Sequence, residues 1–272
     1  MKAQKLKRLF FISTAIILGS FICAGFIEPL SVSKYEYHNN SVPKSFDGFK
    51  IVQLSDFHCK DFGEDEHTLI DKIKDLSPDL ILFTGDMVDE IHSTDNLDKL
   101  LKGIYNIAPI YAITGNHDTI DNSIYEEMLS LYNKYDVQLL DDSFSTVTSD
   151  NDTINIYGSG FSDWAGNCIQ ATNDNSKNLN ILLYHDSNAF PLVSNMGYDI
   201  IFAGHTHGGI IRLPFIGGLI GNDKKLFPKY SSGSFYNANT SCTMYVSRGL
   251  GDSDIPRFYN SPELILVTLY SD

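Results

Sequence analysis

The chain has 272 residues, enough for one large domain or two small ones. Its content of 43 % hydrophobic and 12 % aromatic residues excludes a disordered protein. A formal net charge of −14 at pH 7 argues against binding nucleic acid through a basic surface. An anionic substrate would therefore need a local cation, for which bound metal ions are the obvious source.

The N-terminus has the pattern of a membrane anchor. Residues 9–27 contain no charged side chain, and about 20 apolar residues span a bilayer as a helix. The basic residues before this stretch are Lys2, Lys5, Lys7 and Arg8. We expect residues 1–30 to be an uncleaved signal anchor rather than a removed signal peptide, because the small-residue cleavage pattern is weak. The protein would then be single-pass in the cell membrane, with residues 28–272 on the extracytoplasmic side.

A linker is expected to follow the anchor. Residues 31–48 contain Pro43, Gly48 and several Ser and Asn residues, which favour irregular structure. The folded domain is then expected at residues 49–272.

The first half of that domain alternates short β-branched runs with helical patterns. Strands are expected at 51–55, 80–84 and 110–114, and helices at 68–76, 97–105 and 123–134. This order predicts a mostly parallel sheet covered by helices.

The second half contains strand candidates with few helices between them. They lie at 143–147, 154–159, 179–184, 199–203, 210–213, 243–247 and 264–270. This pattern predicts a second, more antiparallel sheet packed on the first, with helices outside both sheets. Residues 163–178 are polar and are expected to form a surface loop or short helix, and the Tyr-rich stretch 230–236 is also expected to be a surface loop.

Residue types that bind metals follow five of the expected strands. They are Asp56, His58, Asp86, Asn116, His185, His205 and His207. Sites in such sheets gather at the carboxyl ends of the strands, so these seven side chains are expected to meet at one rim. Oxygen and imidazole ligands without thiolate suit Mn, Fe, Zn or similar ions better than a structural zinc.

Each of these motifs is weak when taken alone. Gly-Asp or Asn-His after a strand usually marks a turn, and a single buried histidine is usually structural. Turn formation does not require histidine at five such positions, so the joint pattern favours a metal site. We interpret Asp89 as a residue that stabilises its loop rather than as a metal ligand. We interpret Arg248 as part of a structural ion pair rather than as a residue that binds the substrate phosphate.

The motif order resembles that of the calcineurin-like metallophosphoesterase superfamily. The motifs are Asp-x-His, Gly-Asp-x-x-Asp, Gly-Asn-His-Asp, a lone His and Gly-His-Thr-His, between residues 51 and 209. The apolar N-terminus and Gly-His-Thr-His-Gly-Gly resemble its YkuE/YaeI-like membrane-anchored subgroup. The resemblance implies an α/β fold, a four-layer α/β/β/α sandwich, with two divalent metal ions at the rim. One departure is that His185 is followed by Asp186 and Ser187, where the family often has x-Pro.

The resemblance also implies a role for each candidate residue. The first ion would be held by Asp56, His58 and His207, the second by Asn116, His185 and His205, and Asp86 would bridge both. His117 would be catalytic, protonating the leaving oxygen or stabilising the transition state, and Asp118 would orient it by accepting its other ring proton.

The activity that the resemblance implies is hydrolysis of phosphomonoesters or phosphodiesters by a hydroxide held between the ions. A lipid- or envelope-linked phosphate is an attractive substrate because of the anchor. The alternative is a non-catalytic metal-binding scaffold on the same fold, which would be expected to lack a ligand or the equivalent of His117. The acidic body argues against a nuclease.

Overall fold

The computed structural model describes residues 2–161, 178–221, 224–252 and 255–272. Within these ranges the helices are α1 (Lys2–Gly25), α2 (His67–Leu76), α3 (Asp95–Ile104), α4 (Asn122–Lys134) and the single-turn α5 (Phe190–Val193). The strands are β1 (Ser31–His38), β2 (Lys50–Leu54), β3 (Leu80–Thr84), β4 (Ile110–Ile113), β5 (Gln138–Leu139), β6 (Ser143–Ser149), β7 (Asp152–Ser159), β8 (Asn180–Asp186), β9 (Ile200–Gly204), β10 (Ile211–Leu213), β11 (Gly217–Ile220), β12 (Gly233–Asn237), β13 (Cys242–Val246) and β14 (Glu263–Tyr270). The loop expected at 163–178 lies outside the described residues except for Asn178.

The first sheet has the order β1-β14-β2-β3-β4-β5. Its pairings are parallel except for that of β14 with β2, so the predicted mostly parallel sheet is confirmed. Strand β3 is buried along its whole length, as its continuous apolar sequence requires in a sheet covered on both faces.

Strand β1 contradicts the expectation of a linker over residues 31–48. It pairs in parallel with β14, with Val32 opposite Leu264 and Tyr37 opposite Leu269. The following residues are also packed, since the side chain of Phe46 is fully buried. An edge strand tolerates polar residues on its exposed side, which gives it a composition close to that of a linker.

Helices α2, α3 and α4 cover the outer face of the first sheet. The apolar side chains of α3, among them Leu97, Leu101 and Ile104, are buried at helical spacing. Helix α4 begins at Asp121, whose carboxylate accepts hydrogen bonds from the backbone N–H groups of Ser123 and Ile124. The three helices agree with the predicted ones to within two residues at either end.

The second sheet has the order β12-β13-β9-β8-β7-β6. Its two outer pairings are antiparallel and its three inner pairings are parallel. It is therefore more antiparallel than the first sheet, as expected, although most of its pairings are parallel. The crossover from β8 to β9 passes through α5, which is too short to produce a helical sequence pattern. The Tyr-rich stretch 230–236 is likewise not wholly a loop, because β12 begins within it.

The two sheets pack face to face. Leu82 of the first sheet and Phe202 of the second are fully buried in the apolar core between them. On the outer face of the second sheet, Phe190 and Val193 of α5 pack with Ile201 of β9. The result is the predicted four-layer sandwich, with a thin fourth layer in the part of the chain that the structure describes.

The two sheets meet at the rim where the site was expected. The Gln53 amide, at the end of β2, donates to Thr84 Oγ1 in its own sheet (2.8 Å) and to the Ala203 carbonyl in the other (2.9 Å). The carboxyl ends of β2, β3 and β9 are therefore neighbours across the interface between the sheets.

Helix α1 precedes the sandwich. From Gln4 to Gly25 it is long and apolar enough to cross a membrane, and only 6 % of its most apolar part is buried against the rest of the chain. A signal sequence has the same length and composition, so this helix supports both interpretations of the N-terminus.

Candidate metal centre

The first group of ligand side chains consists of Asp56, His58 and His207, which follow β2 and β9. The Nε2 atoms of His58 and His207 are 3.3 Å apart, and His207 Nε2 is 3.5 Å from Asp56 Oδ1. All three side chains are buried, so these nitrogen and oxygen lone pairs converge where solvent has little access.

The second group consists of Asp86, His185 and His205, with Asn116 beside them. His185 Nε2 lies 3.1 Å from Asp86 Oδ2, 3.2 Å from Asn116 Oδ1 and 3.3 Å from His205 Nδ1. His185 Nδ1 donates to the Thr84 carbonyl at 2.7 Å, which fixes the ring so that Nε2 faces this group.

Asp86 joins the two groups. Its Oδ2 atom is 3.1 Å from His185 Nε2 in the second group and 3.8 Å from His58 Nε2 in the first. Its Oδ1 atom accepts the backbone N–H of His117 at 2.8 Å. This carboxylate therefore has the position of a ligand shared by two cations.

The backbone at this rim is strained. Five of the seven candidate ligands have a positive φ, between 46° and 71°, which side chains other than glycine rarely adopt; they are Asp56, His58, Asp86, His205 and His207. Such conformations persist only where the surrounding structure enforces them, and they cluster at functional sites.

The electrostatics of the two groups differ. Burial lowers the pKa of His58, and it lowers that of His207 to about 3, so both rings are neutral at pH 7. Burial also acts to lower the pKa of His185, but the Asp86 carboxylate outweighs it and raises that pKa to about 10.

The residues of this rim fit two divalent cations. Imidazole nitrogens, carboxylate oxygens and an amide oxygen face one another, and no thiolate is among the described residues of the two groups. The buried His207 Nδ1 has no hydrogen-bond partner, and the His58 and His207 Nε2 atoms at 3.3 Å gain a shared partner if a cation binds beside them.

His117 lies at the exposed side of the centre, and its partner differs from the expected one. Its Nδ1 atom is 2.9 Å from Glu90 Oε2, and this hydrogen bond raises the pKa of His117 against the opposing effect of burial. The expectation that Asp118 orients His117 is wrong. The Asp118 carboxylate is fully buried and accepts the backbone N–H groups of Asp86, Val88 and Gly115, so it braces the turns that carry the ligands.

Asp89 and Arg248 make the local contacts that we expected of them. Asp89 accepts the backbone N–H groups of Ile91 and His92 at 3.0 and 2.8 Å. Arg248 lies 3.0 Å from Glu263 in an ion pair.

Sequence reasoning missed two supporting residues of the centre. Glu90 directly follows the Gly-Asp-x-x-Asp motif, but no spacing rule connects it with His117. Asn260 donates to the His207 carbonyl at 2.6 Å from 53 positions away along the chain. Contacts of this kind depend on how distant loops meet, and a sequence pattern does not encode that.

An open cavity of about 550 Å³ lies over the ligand groups. Its described lining includes His58, Asp86, Asp89, Glu90, Ile91, Asn116, His117, His205, His207, Ile210, Lys224 and Asp252. Among the described residues of this lining, Lys224 is the only lysine. An anionic substrate would therefore be attracted to the cavity mainly by bound cations.

Comparison with known proteins decides the family. The model of the calcineurin-like phosphoesterase family matches residues 49–209, more than half of the chain and the whole set of ligand motifs. The chain belongs to the calcineurin-like phosphoesterase family. Its members are metal-dependent phosphohydrolases, and the two ligand groups described above are consistent with that chemistry.

Full-length relatives support this assignment. The metallophosphoesterase YkuE of Bacillus subtilis is 30 % identical over 93 % of this chain and 91 % of its own. The UDP-2,3-diacylglucosamine pyrophosphatase LpxG of Chlamydia muridarum is 26 % identical over 93 % and 95 %. The phosphodiesterase YaeI of Escherichia coli is 27 % identical over 86 % and 84 %.

Proposed function

We propose that this protein is a dinuclear metal-dependent phosphoesterase that hydrolyses a phosphomonoester or phosphodiester at a membrane surface. The observation that carries the proposal is the position of Asp86, whose Oδ2 atom is within 4 Å of ligand nitrogens from both groups. Asp56, His58 and His207 would hold one ion, and Asn116, His185 and His205 the other. Two divalent cations bound in this way activate water and neutralise the oxygens of the phosphate.

The remaining residues of the centre bind and orient. His117 stands at the edge of the cavity with Nδ1 engaged by Glu90, which leaves Nε2 to hydrogen-bond the substrate or to protonate the leaving oxygen. Glu90 favours the protonated imidazole, as this role requires. Asp118 acts indirectly, by holding the turns that carry Asp86 and Asn116.

The membrane assignment is part of the proposal. Helix α1 would be an uncleaved anchor, with Lys2, Lys5, Lys7 and Arg8 retained in the cytoplasm and the domain on the opposite side. The relative LpxG is named for a substrate that carries two acyl chains. An acylated or envelope-linked phosphate ester is therefore the substrate class that we propose here.

A metal-replacement assay tests the chemistry. The full chain, solubilised in detergent and stripped of metal, is assayed on bis-p-nitrophenyl phosphate and p-nitrophenyl phosphate with Mn, Fe, Zn or Mg restored. We expect activity that depends on added metal, is abolished in Asp86→Ala, and is retained in a control, Asp71→Ala, on the exposed face of α2. Wild-type activity no higher than that of Asp86→Ala would support the scaffold alternative instead.

A further inference from the structure

A small protruding structure beside the metal centre carries exposed apolar side chains. We call it the rim hairpin; it consists of β10, β11 and the segment 224–229, which pairs with β11 through the hydrogen bond from Phe227 N to the Leu219 carbonyl (2.9 Å). Phe215, at the tip, is fully exposed, and Leu226 and Phe227 are 69 % and 66 % exposed. Exposed apolar side chains grouped on one small element in this way usually mark an interaction surface.

The rim hairpin is attached directly to the end of α1. Its first strand pairs with Phe258, where Arg212 N donates to the Phe258 carbonyl at 2.9 Å. The Phe258 ring packs edge-on against Phe26, with centroids 5.1 Å apart. Tyr259 donates its hydroxyl to the Phe21 carbonyl at 2.7 Å. The last turns of α1 and the base of the hairpin therefore form one continuous strip.

The same strip borders the metal centre. Strand β10 begins four residues after His207, and the Asn260 amide donates both to the His207 carbonyl and to that of Ile210. Lys224, at the other end of the hairpin, lines the cavity. A surface that contacts the strip would lie next to the mouth of the cavity.

The net charge of the rim hairpin is opposite in sign to that of the whole chain. Four basic residues lie between positions 212 and 229, where the sequence contains one acid, Asp223, while the net charge of the chain is −14. The basic residues are Arg212, Lys224, Lys225 and Lys229. Apolar side chains flanked by lysines are the composition that binds the interface of an anionic bilayer.

We propose that the rim hairpin inserts its apolar tip into the anionic bilayer that α1 crosses and so turns the mouth of the cavity towards the lipid headgroups. The occupant is a bilayer rather than a partner protein, because α1 holds the base of the hairpin beside the point where the helix would leave the membrane. The lysines at its base contact anionic headgroups. The substrate class follows from this placement: an amphiphile whose phosphate ester lies at headgroup depth, within reach of His117 and the ligand groups. This inference rests on the proposed anchoring and phosphoesterase function.

Fluorescence quenching by brominated lipids tests the insertion. The full chain is reconstituted into vesicles of phosphatidylcholine and phosphatidylglycerol with Trp164→Phe, which removes the single native tryptophan, and Phe215→Trp. The tip should lie ~5–10 Å into the headgroup–acyl boundary, so lipids brominated near the top of the acyl chain should quench about half of its emission. The matched control is Phe144→Trp, 55 % exposed in the native chain on the distant edge strand β6, which should be quenched little.

The outcomes separate this inference from the proposals beneath it. Protein that floats with the vesicles while the Phe215→Trp variant is quenched no more than the Phe144→Trp variant would overturn the insertion alone. Shielding of the indole at position 215 from aqueous iodide without quenching by lipid would indicate a second copy on the tip and would also overturn it. Failure to float refutes the anchor, and failure of the wild type to hydrolyse either soluble bis-p-nitrophenyl phosphate or soluble p-nitrophenyl phosphate refutes the chemistry.

The lysines have a test of their own in the same vesicles. Lys225→Gln with Lys229→Gln, added to the Phe215→Trp variant, should reduce quenching in anionic vesicles only, because neutral headgroups offer these side chains no opposite charge. Equal quenching with and without the two substitutions would refute the role of the lysines.

Discussion

At the scale of single residues, the contact between His117 and Glu90 indicates how Glu90 would affect catalysis. Glu90 is half-exposed and touches the centre through His117, 2.9 Å away. It is therefore a positioning residue, and its effect on turnover should depend on the presence of the histidine.

A double-mutant cycle measures this dependence. We expect His117→Asn to lower kcat about 10²–10³-fold, the range of a lost general acid, and Glu90→Gln to lower it about tenfold with little change in KM. The double variant should be no slower than His117→Asn, because Glu90 then has no partner to orient. Additive losses would contradict the assignment, and exposed Glu126→Gln on α4 serves as the control.

The buried side chain of Glu66, which lies outside the metal centre, should make the stability of the fold depend on pH. Its side chain is 1 % exposed, one carboxylate oxygen accepts the Phe62 N–H at 3.2 Å, and the other has no hydrogen-bond partner. Burial raises its pKa to about 7. The folded protein thus holds this proton more tightly than the unfolded chain does, so the stabilisation that it provides is complete below the usual carboxyl pKa and is lost as pH rises through 7.

Replacing Glu66 by Gln should remove this pH dependence. Glutamine keeps the acceptor for Phe62 and stays neutral, so the free energy of unfolding of Glu66→Gln relative to wild type should rise by about 2 kcal/mol between pH 4.5 and pH 8. Urea unfolding of the detergent-solubilised chain at both pH values measures it. A difference that is the same at both values would contradict a buried, protonated Glu66.

At the scale of elements, the turn after β3 depends on glycine. Gly85 has a φ of +93°, and a Cβ atom there would lie 2.6 Å from both the backbone nitrogen of Gly115 and His185 Nδ1. The second of these atoms belongs to a candidate ligand, so a side chain at this position disturbs the metal centre as well as the turn.

We expect Gly85→Ala to destabilise the fold by on the order of 3 kcal/mol and to weaken metal binding. The matched control is Gly48→Ala, at a similar φ of +82° but with nothing within 4 Å of the added atom, which should cost about 1 kcal/mol and leave metal binding intact. Thermal unfolding and metal titration measure the two effects. Equal losses at both positions would show that space at Gly85 does not matter.

The elements also show what can be inferred from sequence alone. Strands 80–84 and 110–114 were predictable because they are short continuous apolar runs, and the three amphipathic helices because their apolar periodicity is strong. The parallel inner pairings of the second sheet were not, since a single-turn helix takes the place of the usual crossover helix between β8 and β9. Strand β1 was missed because its polar side faces solvent at the edge of the sheet.

The meeting of the candidate ligands at one rim was predictable for a different reason. The motifs carry the residue types, and the rule that sites gather at strand ends brings them together. That rule does not predict the hydrogen-bond partner of His117. Glu90 and Asp118 are both acids that could accept a hydrogen bond from its ring, and which one does so depends on the path of the backbone. Asp118 turns inwards to three backbone N–H groups and is unavailable to the ring.

At the scale of the whole molecule, the acidic domain, the apolar helix and the basic rim hairpin suit a protein that works on phosphate at a membrane. In the proposed placement, the anchor, the lysines and bound cations would offset locally the repulsion between a chain of charge −14 and an anionic surface.

The proposed chemistry requires two cations that share Asp86 as a ligand. Anomalous diffraction from crystals grown with Mn²⁺ tests this requirement most directly. We predict two peaks about 3.5–4 Å apart, one among Asp56, His58 and His207, the other among Asn116, His185 and His205, with Asp86 in contact with both. A single peak, or two peaks of which neither contacts Asp86, would contradict it.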